Sequence, residues 1–211
     1  IYNTYMQYKS KVDIFYVAFS GGKDSIVVLD LVKRALKSSE FKVVFGDTQM
    51  EFFDTYVLME KVKKYCEEND IEYIHAISPM NSTDAWELFG PPAHSQRWCC
   101  SVLKSTPQII ALRKLMNKCD FRGMGITGVR GEESVSRSNY EKLSFGEKVK
   151  GQYSYHPILD WNAAEVFLYI FAHQLFFNEA YKKGNNRVGC LICPMTSERS
   201  LFVRNKCYAC E

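Results

Sequence analysis

Short apolar runs of strand character alternate with longer amphipathic stretches along most of this chain. The strand-like runs lie at 13–19, 41–46, 71–77 and 121–128, and the helical patterns at 24–37, 52–69, 105–117 and 161–173. This order predicts an α/β fold with a mainly parallel twisted sheet and helices on both faces, a Rossmann-like arrangement. The stretch 131–155 is rich in serine, glycine and charge, and we expect it to form a long mobile loop.

Size and composition narrow the class of protein. The 211 residues suffice for one α/β domain with a substantial core, and a net charge of +3 is too small to indicate a nucleic-acid surface. That charge is compatible with a local cationic site for an anionic ligand. No apolar run approaches the roughly 18–20 residues of a membrane span. The chain starts at Ile1 and shows no signal peptide, so we expect part of a longer cytoplasmic protein.

The cysteines are clustered. Of the eight in the chain, four form two CxxC pairs at 190–193 and 207–210, and Cys99 is followed directly by Cys100. In a chain without secretory features, such clusters indicate metal or redox chemistry rather than a disulfide framework.

A glycine-rich segment, SGGKDS, follows the first predicted strand and opens the first predicted helix. It consists of Ser20, Gly21, Gly22, Lys23, Asp24 and Ser25. Ligands of open α/β sheets bind at this edge, where backbone N–H groups and a helix N-terminus attract anions. The spacing fits neither GxxxxGK(S/T) nor GxGxxG. The alternative is a tight turn in which Asp24 or Ser20 caps the helix.

SGGKDS resembles the pyrophosphate-binding loop of the adenine nucleotide α-hydrolase-like (PP-loop) enzymes. Members of this superfamily cut ATP between its α and β phosphates or bind adenylyl sulfates. The second predicted strand ends in FGDT, with Asp47 and Thr48. The resemblance implies that this acidic position lies near the nucleotide or its metal. The alternative is that Asp47 caps the helix that starts near Glu51.

The segment GVRGEESVSR is similar to the G-x-R-x-x-E/Q-S-x-x-R signature of phosphoadenosine phosphosulfate (PAPS) reductases. It places Gly128, Arg130 and Arg137 in the predicted site. Guanidinium groups suit this role because they make bidentate contacts to phosphate or sulfate oxygens. The alternative is a solvated charged loop. HPILDW follows at 156–161, as in this family, and we expect His156 to be structural.

Two further segments, RWCCSVLKSTP and RVGCLICP, resemble the iron–sulfur branch of the sulfonucleotide reductases. The resemblance spans about residues 14–200. It implies that one 4Fe–4S cluster is ligated by Cys99, Cys100, Cys190 and Cys193. Zinc is the alternative, since four thiolates also suit a tetrahedral zinc ion. Nearby basic residues, Lys104 among them, would offset thiolate charge and steer an anionic substrate.

The chain departs from this family in two ways. The E-C-G-hydrophobic-H context of the usual nucleophilic cysteine is absent. Cys207 and Cys210 either supply a nucleophile and a resolving thiol or form half of a second metal site. SGGKDS is also intact, whereas many sulfonucleotide reductases have lost the GGK part. Enzymes that release pyrophosphate from ATP tend to keep it.

We therefore predict a PP-loop domain over 1–200 and a cysteine-containing tail, 201–211, at the edge of a further segment. Lys23 and the two arginines are its expected catalytic cations. The leading hypothesis is reduction of an adenylyl sulfate, either PAPS or adenosine phosphosulfate (APS), to sulfite with a thioredoxin-like thiol donor. The second is an Mg²⁺-dependent ATP pyrophosphatase that activates an acceptor for sulfur insertion, as in DNA phosphorothioation; only here is nucleic acid a partner. The third is a non-catalytic nucleotide-binding module.

Overall fold

The computed structural model describes residues 1–146 and 151–208 and contains a six-stranded sheet of order β3-β2-β1-β4-β6-β5. The strands are β1 (Ile14–Phe19), β2 (Lys42–Asp47), β3 (Glu72–Ile77), β4 (Gly123–Ile126), β5 (Leu143–Phe145) and β6 (Tyr153–Tyr155). Every neighbouring pair is parallel except β5 and β6. The predicted mainly parallel α/β fold is thus confirmed.

Helices connect these strands. They are α1 (Tyr2–Tyr8), α2 (Lys23–Ala35), α3 (Phe53–Glu68), α4 (Ser82–Phe89), α5 (Trp98–Cys100), α6 (Thr106–Met116), α7 (Val135–Ser138), α8 (Ala163–Ala172) and α9 (Glu198–Cys207). The four helices predicted from the sequence correspond to α2, α3, α6 and α8. Within residues 1–146 and 151–208, no helix is long and apolar enough to cross a membrane.

Both faces of the sheet are buried. Val17 and Phe19 of β1 point into a core shared with α2, α3 and α8. Tyr16 of the same strand points to the other face, where it packs with Leu112 of α6. Strands covered on both sides need apolar residues at successive positions, which explains the near-continuous apolar run of β1. The predicted helices on both faces are therefore present.

The prediction of one long loop over 131–155 is wrong for residues 131–146 and 151–155; residues 147–150 lie outside the described residues, and the mobility of the stretch stays a prediction. This stretch contains a 3₁₀ turn at Gly131–Glu133, helix α7, and the antiparallel strands β5 and β6 at the edge of the sheet. The rings of Phe145 and Tyr153 pack across these strands with their centroids 4.5 Å apart. Each strand is three residues long and has serine at its centre, so neither stands out from composition.

The C-terminal tail begins inside a helix. The predicted boundary after residue 200 falls within α9, whose N-cap is Ser197. Beyond the helix, Tyr208 is buried, its ring lies 4.8 Å from that of Phe52, and its hydroxyl donates to Asp54 at 2.6 Å. Arg204 and Tyr208 are therefore the buried residues that anchor the stretch 201–208 to the domain.

Helix α6 offers a matched test of the core. Leu112 is fully buried, whereas Leu115 on the same helix is 40% exposed. Leu112→Ala removes packed methyl groups and leaves a cavity, so we expect it to lower the free energy of unfolding by about 2–5 kcal/mol. Leu115→Ala should cause a much smaller loss. Urea unfolding of both variants measures the difference, and equal losses would contradict the described packing of α6.

Candidate functional site

The predicted site residues follow the carboxyl ends of neighbouring strands. After β1, the next two strands, β2 and β3, lie on one side of β1, and the strand that follows them, β4, lies on its other side. Such a switch of direction opens a crevice at the carboxyl ends of the strands, where α/β proteins bind ligands. The loop at 20–25 follows β1, Asp47 ends β2, and Arg130 follows β4, so all three lie at this edge.

The glycine-rich loop is a turn closed by its own serines. Gly21 has a φ of +72°, and Gly22 is the N-cap of α2. The hydroxyl of Ser25 donates to the carbonyl of Gly22 at 2.8 Å and accepts from the backbone of Ser20 at 3.3 Å. The capping alternative is wrong, because the N-cap is a glycine and contributes no side chain.

A segment far along the chain holds this loop from outside. The side-chain amide of Asn178 donates to the carbonyl of Gly21 at 3.2 Å, and the hydroxyl of Tyr181 accepts from the backbone N–H of Lys23 at 3.0 Å. Asn178 is fully buried. Sequence reasoning missed both residues because they belong to no motif, and only the tertiary fold brings them to the loop.

Asp24 is the carboxylate that the predicted cations share. It pairs with Lys23 at 2.9 Å and with the Nε of Arg130 at 2.5 Å. Arg130 also pairs with Glu132 and is buried, so the alternative of a solvated charged loop is wrong for it. Burial alone would lower the pKa of Arg130, but these carboxylates outweigh it and raise the pKa above its ordinary value. The guanidinium therefore stays charged.

Arg137 lies on α7, seven residues after Arg130. Its guanidinium pairs with Glu133, and the same carboxylate accepts from the backbone N–H of Arg130 at 3.3 Å. Glu133 therefore ties the two arginine positions of the signature together. Arg137 is more exposed than Arg130, with 26% of its side chain accessible.

The turn after β4 packs directly against the glycine-rich loop. A Cβ on Gly128 would lie 2.6 Å from the carbonyl carbon of Asp24, so this glycine permits close approach of the two backbones. In the same connection, Thr127 is hydrogen-bonded to Nδ1 of His156 at 2.6 Å. His156 is completely buried, which agrees with the structural role predicted for it.

Asp47 ends β2 and does not cap a helix. Helix α3 begins at Phe53 with Phe52 as its N-cap, so the capping alternative is wrong. The Asp47 carboxylate instead accepts from the Tyr56 hydroxyl at 2.9 Å and pairs with Nε2 of His75, also at 2.9 Å. Sequence reasoning missed the pairing of His75 with Asp47.

The two cysteine pairs of the predicted metal site lie near each other, although as placed these four described residues do not form a group that could hold an ion; we call Cys99, Cys100, Cys190 and Cys193 the cysteine centre. Cys99 and Cys100 lie on α5. Burial raises the pKa of Cys99 to about 11, and the charges of Cys100 and Cys193 contribute to the rise. Burial likewise raises the pKa of Cys190 to about 12. The charge of Glu51 adds to this rise, and the charge of Cys193 adds to it more weakly. Thiols from distant parts of the chain thus lie within electrostatic reach of one another.

The cysteine centre touches the end of β2. The hydroxyl of Thr48 lies 3.3 Å from the sulfur of Cys190, and Cys190 forms an isolated β-bridge with Glu51. Burial raises the pKa of Glu51, and Lys104, 4.0 Å away, opposes that rise. Burial alone would lower the pKa of Lys104, but Glu51 and the nearby thiols raise it. The predicted Lys104 therefore lies at the cysteine centre, beside a buried acid that sequence reasoning missed.

The cysteine centre fits a thiolate-bound metal group in its chemistry. As placed, no three His, Cys, Asp or Glu side chains within residues 1–146 and 151–208 form a group that could hold an ion. Two buried polar atoms flank the thiols, Oε2 of Glu51 and Nε of Arg204, and neither has a hydrogen-bond partner within the described part of the chain. Burial lowers the pKa of Arg204, and the charges of Cys193 and Cys190 oppose that shift. A bound group among the four thiols would bring new partners to this pocket.

The second CxxC pair is described only in part. Cys207 is exposed at the last residue of α9, and Cys210 lies outside the described residues. A catalytic role for this pair stays a prediction.

The fold and site together define an α/β protein that carries a glycine-rich loop and a cysteine centre at one edge of its sheet. The chain belongs to the phosphoadenosine phosphosulfate reductase domain family, whose family model matches residues 14–196. This confirms the family to which the sequence motifs point.

Relatives of known sequence support the same family. Two uncharacterized proteins of Methanocaldococcus jannaschii are 33% and 34% identical over 92% and 90% of this chain. The chain spans less than half of their length, 38% and 44%. An adenosine 5′-phosphosulfate reductase of Shouchella clausii is 29% identical over 83% of this chain and 69% of its own length.

Solved structures share the fold. A phosphoadenylyl-sulfate reductase of Candida auris, in a phosphate complex, has a TM-score of 0.64 at 18% identity and covers 90% of this chain and 87% of its own. The FMN adenylyltransferase of Candida glabrata, in complex with ATP, has a TM-score of 0.59 at 15% identity and covers 89% and 56%. At these identities the likeness shows the fold alone.

Gly128 provides a test of the packing between the two loops. Gly128→Ala places a methyl group against the backbone of Asp24, and we expect a loss of about 1–3 kcal/mol in the free energy of unfolding. Gly189→Ala is the matched control, since a Cβ there meets nothing within 4 Å. Urea unfolding compares the two. Equal stability of both variants would contradict the described contact.

Proposed function

We propose that this chain is the catalytic domain of an adenylyl-sulfate reductase. It binds an adenine nucleotide that carries a sulfate, either APS or PAPS, and reduces that sulfate to sulfite. The observation that carries the proposal is the 3.3 Å contact between Thr48 and Cys190. Because Thr48 follows β2, this contact supports a site in which the cysteine centre borders the sheet edge that carries the 20–25 loop and Arg130.

The cations of the site suit the phosphosulfate. Arg130 is held rigidly by Asp24 and Glu132, and its position after β4 faces the crevice beside β1. A fixed guanidinium that aims two N–H groups at one anion binds phosphate and sulfate better than a flexible ammonium does. The carboxylates of Asp24 and Glu132 keep Arg130 charged and oriented for the nucleotide. Arg137, on the outer side, supplies a second and more accessible cation.

The proposed reaction requires two thiols. A thiolate attacks the sulfur and the bond from sulfur to the phosphate oxygen breaks, so that the nucleotide leaves as AMP from APS or as adenosine 3′,5′-bisphosphate from PAPS. A second thiol then attacks the thiol sulfur of the resulting S-sulfonate, so that sulfite departs with the bonding electron pair and a disulfide remains. The first thiol is assigned to the Cys207–Cys210 pair or to an external thioredoxin-like donor. The two electrons come from the thiols, and the donor restores them.

The cysteine centre would hold the metal group through Cys99, Cys100, Cys190 and Cys193. A 4Fe–4S cluster bound there supplies a compact charged group whose electrostatics act on the neighbouring anionic substrate, and zinc is the alternative. Lys104 and the buried Glu51, whose charged atoms lie 4.0 Å apart, form an ion pair beside this metal group. The thiolates also join α5 to the 190–193 turn.

A second candidate function rests on one observation, the intact SGGKDS loop with Lys23. In this case the site cleaves ATP, with Mg²⁺, into AMP and pyrophosphate, and the adenylated acceptor receives sulfur. Nucleic acid belongs to the acceptors that this second function would use. In the structure the Lys23 ammonium is buried and paired with Asp24, an arrangement that a pyrophosphate group would have to reorganise.

Product analysis tests the proposal. Anaerobically purified protein is incubated with APS, PAPS or Mg-ATP in the presence of thioredoxin. We expect sulfite from a sulfonucleotide, and we expect Arg130→Lys to lower kcat/KM at least tenfold, because a charge-assisted hydrogen bond is worth about 1.5–3 kcal/mol. Arg199→Lys, on the exposed face of α9, is the matched control. Pyrophosphate from ATP without any sulfite would overturn the proposal in favour of the second candidate.

Metal analysis tests the cysteine centre. The anaerobic protein should be brown, with about four iron atoms per chain, and Cys190→Ser should lose both iron and colour. Cys119→Ser removes an exposed thiol outside the cysteine centre and should keep both. A colourless protein with stoichiometric zinc that Cys190→Ser releases would replace the cluster by zinc. A metal content that is unaffected by Cys190→Ser would refute the site itself.

A further inference from the structure

The glycines of the loop make room for the chain's own side chains. A Cβ on Gly21 would lie 2.9 Å from the end of Met59 and 3.0 Å from the methyl group of Thr55. A Cβ on Gly22 would lie 3.4 Å from the hydroxyl of Tyr181. In a loop that binds a phosphate chain, glycines leave space for the ligand. Here the side chains of Met59 and Thr55 already fill that space at Gly21, and the Tyr181 hydroxyl borders it at Gly22.

Tyr181 occupies a backbone donor of the loop. Its hydroxyl oxygen lies 3.0 Å from the N–H of Lys23, which is the first residue of α2. A backbone hydrogen bond from Val188 acts on the same oxygen. Burial raises the pKa of Tyr181, so the phenol is neutral. A neutral oxygen of the protein thus sits at the positive end of α2, where an anionic phosphate oxygen would otherwise bind.

Tyr181 and its neighbour Phe167 also enclose the loop lysine. The Nζ of Lys23 lies 5.6 Å from the centre of the Tyr181 ring and 5.9 Å from that of Phe167. The same ammonium pairs with Asp24 at 2.9 Å, and only 5% of the lysine side chain is exposed. The charge that would meet a pyrophosphate is therefore already neutralised and covered.

We infer that Tyr181 is a specificity-determining residue that fills the pyrophosphate part of the loop. With the Lys23 N–H taken, the loop accepts a nucleotide whose chain ends after one further anionic group, as in an adenylyl sulfate, and discriminates against a triphosphate. The inference rests on the proposed nucleotide site and sharpens its choice of substrate. It also explains how an intact SGGKDS loop serves a substrate without β and γ phosphates.

The inference differs from a purely structural role for Tyr181. If the phenol only stabilised the fold, its loss would weaken the protein and change the affinities for AMP and ATP by the same factor. If it excludes the outer phosphates, its loss changes the ratio of the two affinities. AMP therefore serves as the internal reference.

Isothermal titration of the full chain, purified anaerobically with its metal, measures this ratio. In the wild type we expect Mg-ATP to bind no more than about threefold tighter than AMP, because Tyr181 occupies the Lys23 N–H and Asp24 pairs with the Lys23 ammonium. Tyr181→Phe keeps the ring and frees the Lys23 N–H, so Mg-ATP should tighten relative to AMP by roughly tenfold. Inorganic pyrophosphate, titrated alone, should gain by a similar factor.

Tyr169→Phe is the matched control. Tyr169 lies on α8, and its hydroxyl donates to Asp30 of α2 at 2.7 Å, away from the loop. Its loss should leave the ratio of the ATP and AMP affinities at the wild-type value. A wild type that binds Mg-ATP a hundredfold tighter than AMP would overturn the inference, as would a ratio unchanged in Tyr181→Phe. If Tyr181→Phe does not fold, the wild-type ratio alone decides.

The two proposals fail separately. A wild type that discriminates against ATP through Tyr181 but releases no sulfite from APS or PAPS refutes the proposed reduction and keeps the role of Tyr181. A wild type that releases sulfite and also binds Mg-ATP far more tightly than AMP supports the reduction and refutes the role of Tyr181.

Discussion

The site depends on one carboxylate, Asp24, which binds two cations at once. Lys23 lies 2.9 Å and the Nε of Arg130 2.5 Å from its oxygens, so the loop after β1 is tied to the loop after β4 across the switch point of the sheet. Buried charges are tolerated only when they are paired, and removing one partner of such a network costs about 3–5 kcal/mol. Gly128 lets the two backbones approach closely enough for this network to form.

A second connection joins the loop to the thiols. The segment that begins at Asn178 and ends at Cys193 touches the loop through Asn178 and Tyr181, and it then reaches Thr48 through Cys190. Nucleotide loop and cysteine centre are thus held by one continuous stretch of chain. In the proposed reaction, this connection would hold a substrate bound by the loop at a fixed distance from the cysteine centre, and such positioning lowers a reaction barrier.

Patterns of apolar residues predicted the long buried strands and the helices that cover them, because these elements are defined by local periodicity. The position of SGGKDS after the first predicted strand put Asp24 at the edge of the sheet, and the family resemblance implied that Arg130 and the cysteines belong to the same site. The sequence did not reveal β5 and β6, which are three residues long and are stabilised by neighbours rather than by propensity. It also missed Tyr181 and Glu51, since a hydroxyl that fills a loop and an acid buried beside a thiol become visible only when distant segments meet.

The central claim is that the glycine-rich loop and the cysteine centre form one site for an adenylyl sulfate. A crystal structure of the anaerobic, metal-containing protein with bound APS tests it most directly. The account predicts that the phosphosulfate lies between the 20–25 loop and the 190–193 turn and that its oxygens bind Arg130. It also predicts that the Tyr181 hydroxyl keeps its hydrogen bond to the backbone N–H of Lys23. A nucleotide whose phosphosulfate lies away from Arg130, or on the far side of the sheet from the cysteines, would contradict it.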